Sequence, residues 1–246
     1  MKIRIGLVAG LAAVGVALTA CSADGDNASD GGADTEATVE AATVTDAPLD
    51  EQLEQAIGDG NTALVDALIE GGVDPEADFG LGFTPLRMAI TGDHTEIVEA
   101  LIAAGADAAA TDAIGYNSLH TAGLNQASAE TTQLLLDAGA DPEQFDESIY
   151  NASPLHLAAR NDSVDALQAM VDSGADPDLV NPMYGANPLF FAAESDQVAA
   201  AQYLIDIGAD YNHTDLEGQT LLGEAYEFDA TGVIALLEEL GAERVD

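Results

Sequence analysis

Thiol and imidazole side chains, the usual nucleophiles, bases and soft metal ligands, are few in this 246-residue chain: one cysteine, Cys21, and four histidines, His94, His120, His156 and His213. No two histidines stand four apart, as a helical metal pair requires, and one cysteine cannot complete a mixed Cys/His ligand set. There is no Gly-x-Ser-x-Gly elbow, no His-Glu-x-x-His and no glycine-rich phosphate loop with its lysine. Lys2 is the only lysine, so Schiff-base chemistry and lysine contacts to phosphate have no residue in the body of the chain. Carboxylates number 45, so pairs of them are expected from composition and single out no acid–base dyad. The expectation is no catalytic residue, no metal and no cofactor.

The setting of Cys21 is informative. Lys2 and Arg4 precede a largely apolar run, Ile5 to Leu18, which small residues close just before the cysteine. This is the pattern of a secretory signal, too short for a spanning helix. Leu18-Thr19-Ala20-Cys21 resembles the lipobox of bacterial lipoproteins. That resemblance implies cleavage before Cys21, a diacylglycerol on its sulfur, and residence in a bacterial cell envelope on the extracytoplasmic side. Two or three acyl chains would anchor the protein stably. With no second cysteine, no intrachain disulfide can form, and the fold must stand on packing.

From Asp24 to Pro48 the chain is rich in Ala, Asp, Gly, Thr and Glu, with almost no large apolar residue, which reads as a flexible tether. Asp24, Asp26, Asp30 and Gly31 match part of a calcium loop, but Ala28 breaks the alternation and no glutamate follows where one is needed.

The remainder repeats. Gly-Ala-Asp or a close variant recurs at Gly72, Gly105, Gly139, Gly174, Gly208 and Gly241, at spacings of 33, 34, 35, 34 and 33. In phase with it, Leu86, Leu119, Leu155, Leu189 and Leu222 each open a short apolar run. Such periods mark a solenoid whose units gain a core only by stacking. Within one unit, Thr84 is the expected N-cap and Pro85 the first helical residue. Gly92-Asp93 ends that helix. A second, from Asp93 or His94 to Ala104, carries Ile97, Val98, Leu101 and Ile102 on one face, and Gly105 stops it.

Thr84-Pro85-Leu86-Arg87-Met88-Ala89, Asn117-Ser118-Leu119-His120-Thr121-Ala122, Ser153-Pro154-Leu155-His156-Leu157-Ala158, Asn187-Pro188-Leu189-Phe190-Phe191-Ala192 and the weaker run from Thr220 to Ala225 resemble the helix start of ankyrin repeats. The resemblance implies an all-α solenoid of antiparallel helix pairs with hairpin-like fingers, engaged in binding other proteins. It also implies a structural role for His120 and His156, each ring bonding locally and bridging to the next unit. Thr84, Gly105, Gly139, Gly174 and Gly208 are structural in the same sense. The expected organisation is a signal at 1–20, a tether at 21–47 and a repeat domain at 48–246. That domain comprises a degenerate first helix pair at 48–78 and repeats at about 80–111, 113–146, 149–180, 183–214 and 216–246. The third repeat is longer around Gln144 to Asn151, so its finger should protrude or bend differently.

Net charge is −40, and every acidic residue follows Cys21, opposed after it only by Arg87, Arg160 and Arg244. This excludes nucleic acid as a partner and disfavours adhesion to anionic headgroups. The acidity has two readings, adaptation to a saline habitat or a protein partner with a basic patch, with loose cation binding by the Asp-rich loops as a weaker third. Fingers and first helices together should line a concave face. Phe79, Phe83, Arg87, Tyr116, Phe145, Tyr150, Arg160, Met183 and Tyr184 are the candidate partner-binding residues there, with half of the rings expected to pack on neighbouring fingers instead. The reading is a monomeric, membrane-tethered protein-binding module. The alternative is a structural or protective envelope protein without a discrete partner.

Overall fold

The computed structural model describes residues 47–80, 82–148 and 150–243. The leader, Cys21 and the tether up to residue 46 lie outside the described residues, as does Arg244. The described chain forms α1 (Leu49–Gly58), α2 (Thr62–Glu70), α3 (Pro85–Thr91), α4 (Thr95–Ala103), α5 (Ser118–Asn125), α6 (Ala129–Asp137), α7 (Pro154–Arg160), α8 (Val164–Asp172), α9 (Pro188–Glu194), α10 (Val198–Asp206), α11 (Leu221–Glu227) and α12 (Thr231–Glu239). Odd-numbered helices pack on one another in order, α1 on α3 through to α9 on α11, and even-numbered helices form a second row. Among the described residues the only extended pairing is a bridge between Thr214 and Thr220.

Local chemistry accounts for the helix limits. Thr84 accepts from the Arg87 amide through Oγ1 at 3.3 Å, with Pro85 at the first helical position, where its missing N–H leaves no bond unmade. Helix α4 starts at Thr95, slightly later than the sequence suggests, because Asp93 adopts φ 49° and His94 occupies the N-cap. Gly105 ends the unit at φ 105°, and a Cβ there would meet nothing within 4 Å. Glycine is therefore needed at that position for its dihedral, not for space. Gly139, Gly174 and Gly208 repeat the conformation.

Carboxylates stitch one unit to the next. Asp93, in the turn between α3 and α4, accepts from Ser128 N at 3.0 Å and Thr131 Oγ1 at 2.8 Å at the start of α6. Asp162 accepts from Ala200 N at 2.8 Å, and Asp196 from Val233 N at 2.9 Å and Gly232 N at 3.2 Å. Each places an anion at the amide-rich N-terminus of the following second helix. Asp93→Ala is expected to cost about 1–3 kcal/mol by orphaning these donors, whereas Asp93→Asn, which keeps an acceptor and tolerates positive φ, should cost much less. Urea unfolding of both variants checks this. Equal losses would mean that the bonds contribute nothing.

A second ladder of side chains organises the fingers. Asp112 Oδ1 accepts from the Ile114 and Tyr116 amides, Asp215 Oδ1 from Glu217 and Gln219, and Asp78 Oδ1 from Gly80 and Gly82. Asn181 takes the equivalent place in the fourth full finger. Its Nδ2 also donates to Tyr150 O and Asn151 O of the preceding one, both at 2.6 Å. The longer third finger is closed from Asp146 N to Ala152 O instead of over the tighter span from Asp112 N to Tyr116 O. It bends onto its neighbour through Glu147 N to Ile114 O at 2.8 Å, with Asn151 at φ 45°.

The apolar core falls into two clusters, one running from Leu53 to Ala140 and one from Ala152 to Leu237. Between them α5 meets α7 at close range. A Cβ on Gly123 would lie 2.9 Å from Pro154 O and 3.0 Å from Ala158 N, and Ser163 Oγ donates to Gly123 O at 2.6 Å. Two buried rings also span units. Ser153 N and Oγ donate to Nδ1 of His156, whose Nε2 donates to Ala186 O of the next unit at 3.2 Å. At His120 the Asn117 amide N and side-chain Oδ1 both lie on Nδ1, at 3.1 and 2.8 Å, and Nε2 faces Ala152 O of the next unit at 3.4 Å. Burial pushes both imidazoles down to about 4, only partly offset by these carbonyls.

Candidate functional site

The face built from fingers and first helices carries the nine side chains singled out from the sequence, and they divide by packing. Phe79 packs against the first core cluster. Arg87 forms an ion pair with Asp112 at 2.8 Å and lies 5.8 Å from the centre of the Phe83 ring. Tyr116 stacks on His120 with centroids 4.7 Å apart, and Phe145 tilts against His156 at 5.9 Å. Arg160 sits 4.8 Å over the Tyr150 ring, which itself leans on the second core cluster. All seven are half-buried and engaged inside the stack. Met183 and Tyr184 differ, at 52% and 36% exposed.

Between the first and second fingers lies a cleft of about 550 Å³, lined by Glu76, Arg87, Asp107, Asp112, Tyr116 and Thr121 among others. The Tyr116 phenol beside it is pushed up to about 12, first by burial and then by the charges of Asp146 and Asp112. It stays protonated at any physiological pH. The cleft offers one ion-paired arginine and a neutral phenol, with no activated nucleophile.

At the other end of the row, on α9 and α11, carboxylates crowd together. Burial raises the Glu194 carboxyl, with Arg160 opposing. Glu224 is pushed up to about 7 by burial and by the neighbouring Glu194, Glu227 and Asp215. Gln219 Nε2 donates to Glu224 Oε2 and, at 3.2 Å, to Glu227 Oε2. Sequence reasoning missed this cluster because nothing in a chain of 45 acids sets these three apart. It also missed Leu216, 71% exposed on the last finger, although an apolar residue between Asp215 and Glu217 was a visible signal. Among the described residues no group of three or more His, Cys, Asp or Glu side chains is placed to hold a metal ion.

A family model described as ankyrin repeats (3 copies) matches residues 53–146 and again 147–244. The chain belongs to the ankyrin-repeat family. The ankyrin-repeat domain of Bcl-3, a member of the IkappaB family, superimposes with a TM-score of 0.65 at 27% identity, over 78% of this chain and 86% of that one. The human ASB11 ankyrin-repeat domain gives 0.67 at 24% identity, over 78% and 84%, a likeness of fold alone. A mouse protein, fem-1 homolog A-like, is 41% identical over 54 residues, which is 22% of this chain and only 8% of the mouse protein's length. As an ankyrin-repeat protein the chain is a protein–protein interaction module, of a kind that is typically non-enzymatic.

Proposed function

We propose that this ankyrin-repeat protein is a lipid-anchored binding module of the bacterial cell envelope. Cys21 would carry the anchor, residues up to 47 would serve as an acidic tether, and the finger and first-helix face would be held out for a protein partner. It acts without catalysis or cofactor. The observation that carries the binding reading is the exposure pattern of that face: seven candidate side chains are half-buried, and Met183 and Tyr184 are the more exposed. The lipobox-like Leu18-Thr19-Ala20-Cys21 supports the anchor, and the length and composition of the tether support display at a distance from anionic headgroups.

The anchor is tested by feeding an alkynyl fatty acid to bacteria expressing the full chain or its Cys21→Ser variant. The expected result is label and membrane fractionation for the parent, with both lost in the variant. Unlabelled parent protein in the soluble fraction would overturn the anchor and leave the binding module to be judged separately.

A further inference from the structure

We infer that the last two fingers and the helices beneath them, bearing Met183, Tyr184 and Leu216 above Glu194, Glu224 and Glu227, dock a protein segment in which apolar side chains are flanked by lysine or arginine. This rests on the binding-module reading and supplies the partner's chemistry.

The backbone of one finger and the leucine of the next adjoin. Leu216 N donates to Tyr184 O at 2.9 Å, which ties the two fingers together. A Cβ on Gly185 would touch Leu216 Cγ at 2.7 Å, so the leucine lies directly across the preceding finger. Leu216 at 71% and Met183 at 52% exposed are the two most exposed large apolar side chains among the described residues. Adjacent exposed side chains of this kind, rimmed by polar groups, mark interaction surfaces, whereas scattered ones do not.

Charge identifies the occupant. Asp215 and Glu217 flank Leu216 in sequence, and Gln219 on the same finger bonds to both Glu224 and Glu227 on α11. Arg160, on α7 at the edge of the cluster, is drawn over Tyr150 and offsets only the Glu194 side. Partly buried like charges without enough counter-charge are unfavourable, and a lysine or arginine from outside would relieve them. An anionic or purely apolar segment would leave the carboxylates uncompensated.

A proton linkage follows. Glu224 faces Glu194 from α9, Glu227 from its own helix and Asp215 and Gln219 from the finger, while Arg160 acts on Glu194. A bound cation favours the ionised form of Glu224, so binding below pH 7 must release a proton and weakens there. His213, which donates to Gly185 O from the same finger at 2.7 Å, is a second group on this face. The Glu224→Gln variant separates the two.

The test titrates the full chain with a short labelled peptide carrying two leucines flanked on both sides by lysine and arginine, and with a copy whose leucines are serine. The leucine peptide should bind about tenfold more tightly. Leu216→Ser or Met183→Ser should remove that advantage, and Ile114→Ser, on a distant finger, should not. Affinity should be higher at pH 8 than at pH 6 in the parent, and the difference should shrink in Glu224→Gln. Equal binding of both peptides would show only attraction to an acidic molecule and would overturn the inference. So would an Ile114→Ser loss equal to that of Leu216→Ser. A discrete partner reached from these fingers, combined with no preference between the peptides, would sink this inference while the binding-module reading stands.

Discussion

Lowering the pH from 7 to 4 is expected to destabilise the repeat domain, and His156→Gln is expected to blunt that loss. In the folded chain the His120 and His156 rings are held neutral, with Nδ1 accepting a backbone amide and Nε2 facing a carbonyl of the next unit, and both are pushed down to about 4. Unfolded, each ring protonates near 6.5. The stability these rings contribute is therefore fully present above about pH 6.5 and is lost as pH falls through 4, on the order of 2–3 kcal/mol for each ring. Glu224 acts in the opposite direction. Its folded value, raised to about 7, favours folding below 4.5 and costs stability as pH rises through 7, but it is less deeply buried than either ring. Glu194, also raised by burial with Arg160 opposing, acts in the same sense as Glu224, so the acid loss is what the two rings contribute less the gain from these two carboxyls. Urea unfolding between pH 4 and 7 reads it directly. A flat profile, or one that His156→Gln leaves unchanged, would contradict the neutral, inter-unit role of the ring.

The second large effect is expected at Gly123. Alanine is the better helix former by about 1 kcal/mol, so propensity alone predicts a gain for Gly123→Ala. The geometry predicts a loss, because the new methyl would stand 2.9 Å from Pro154 O and 3.0 Å from Ala158 N, and neither is the free end of a flexible side chain. Overpacking of this kind typically costs about 1–3 kcal/mol, and Gly123→Val should exceed it. The position also joins the two apolar clusters. In a stack of coupled units, weakening one junction lowers cooperativity as well as stability. Gly123→Val should therefore split a single denaturant transition into two. One sharp transition at the parental midpoint would mean that the junction is not where the halves couple.

The phased glycines and the Thr84-Pro85-Leu86 type of start were enough to read the solenoid, because capping and helix termination are local and recur with the period. What stayed hidden depends on neighbours one unit away. Asp93, Asp162 and Asp196 looked like surface charge, yet each holds amides of the following unit. Their phased position after each first helix was a signal, masked by the number of other acids. Part of the acidity is thereby accounted for by internal bonding, apart from any habitat or partner. The fate of each ring was equally illegible. Tyr116 packs on His120, four residues on, and Phe145 on His156 of the following unit, whereas Tyr184 reaches the surface, and the three look alike in sequence. Gly123 gave no hint, since close approach of two backbones leaves no local pattern.

The most direct measurement of the central claim, that this protein works by presenting its finger and first-helix face to a protein partner, is photo-crosslinking in the cells that make it. A photoreactive side chain would replace Met183 or Leu216 on the fingers in one set, and Gln133 or Gln168 on exposed positions of α6 and α8 in the other. The account predicts a discrete adduct from the finger positions and none from the second-helix row. Adducts of equal yield from both faces, or none from either while the protein is folded, would contradict it.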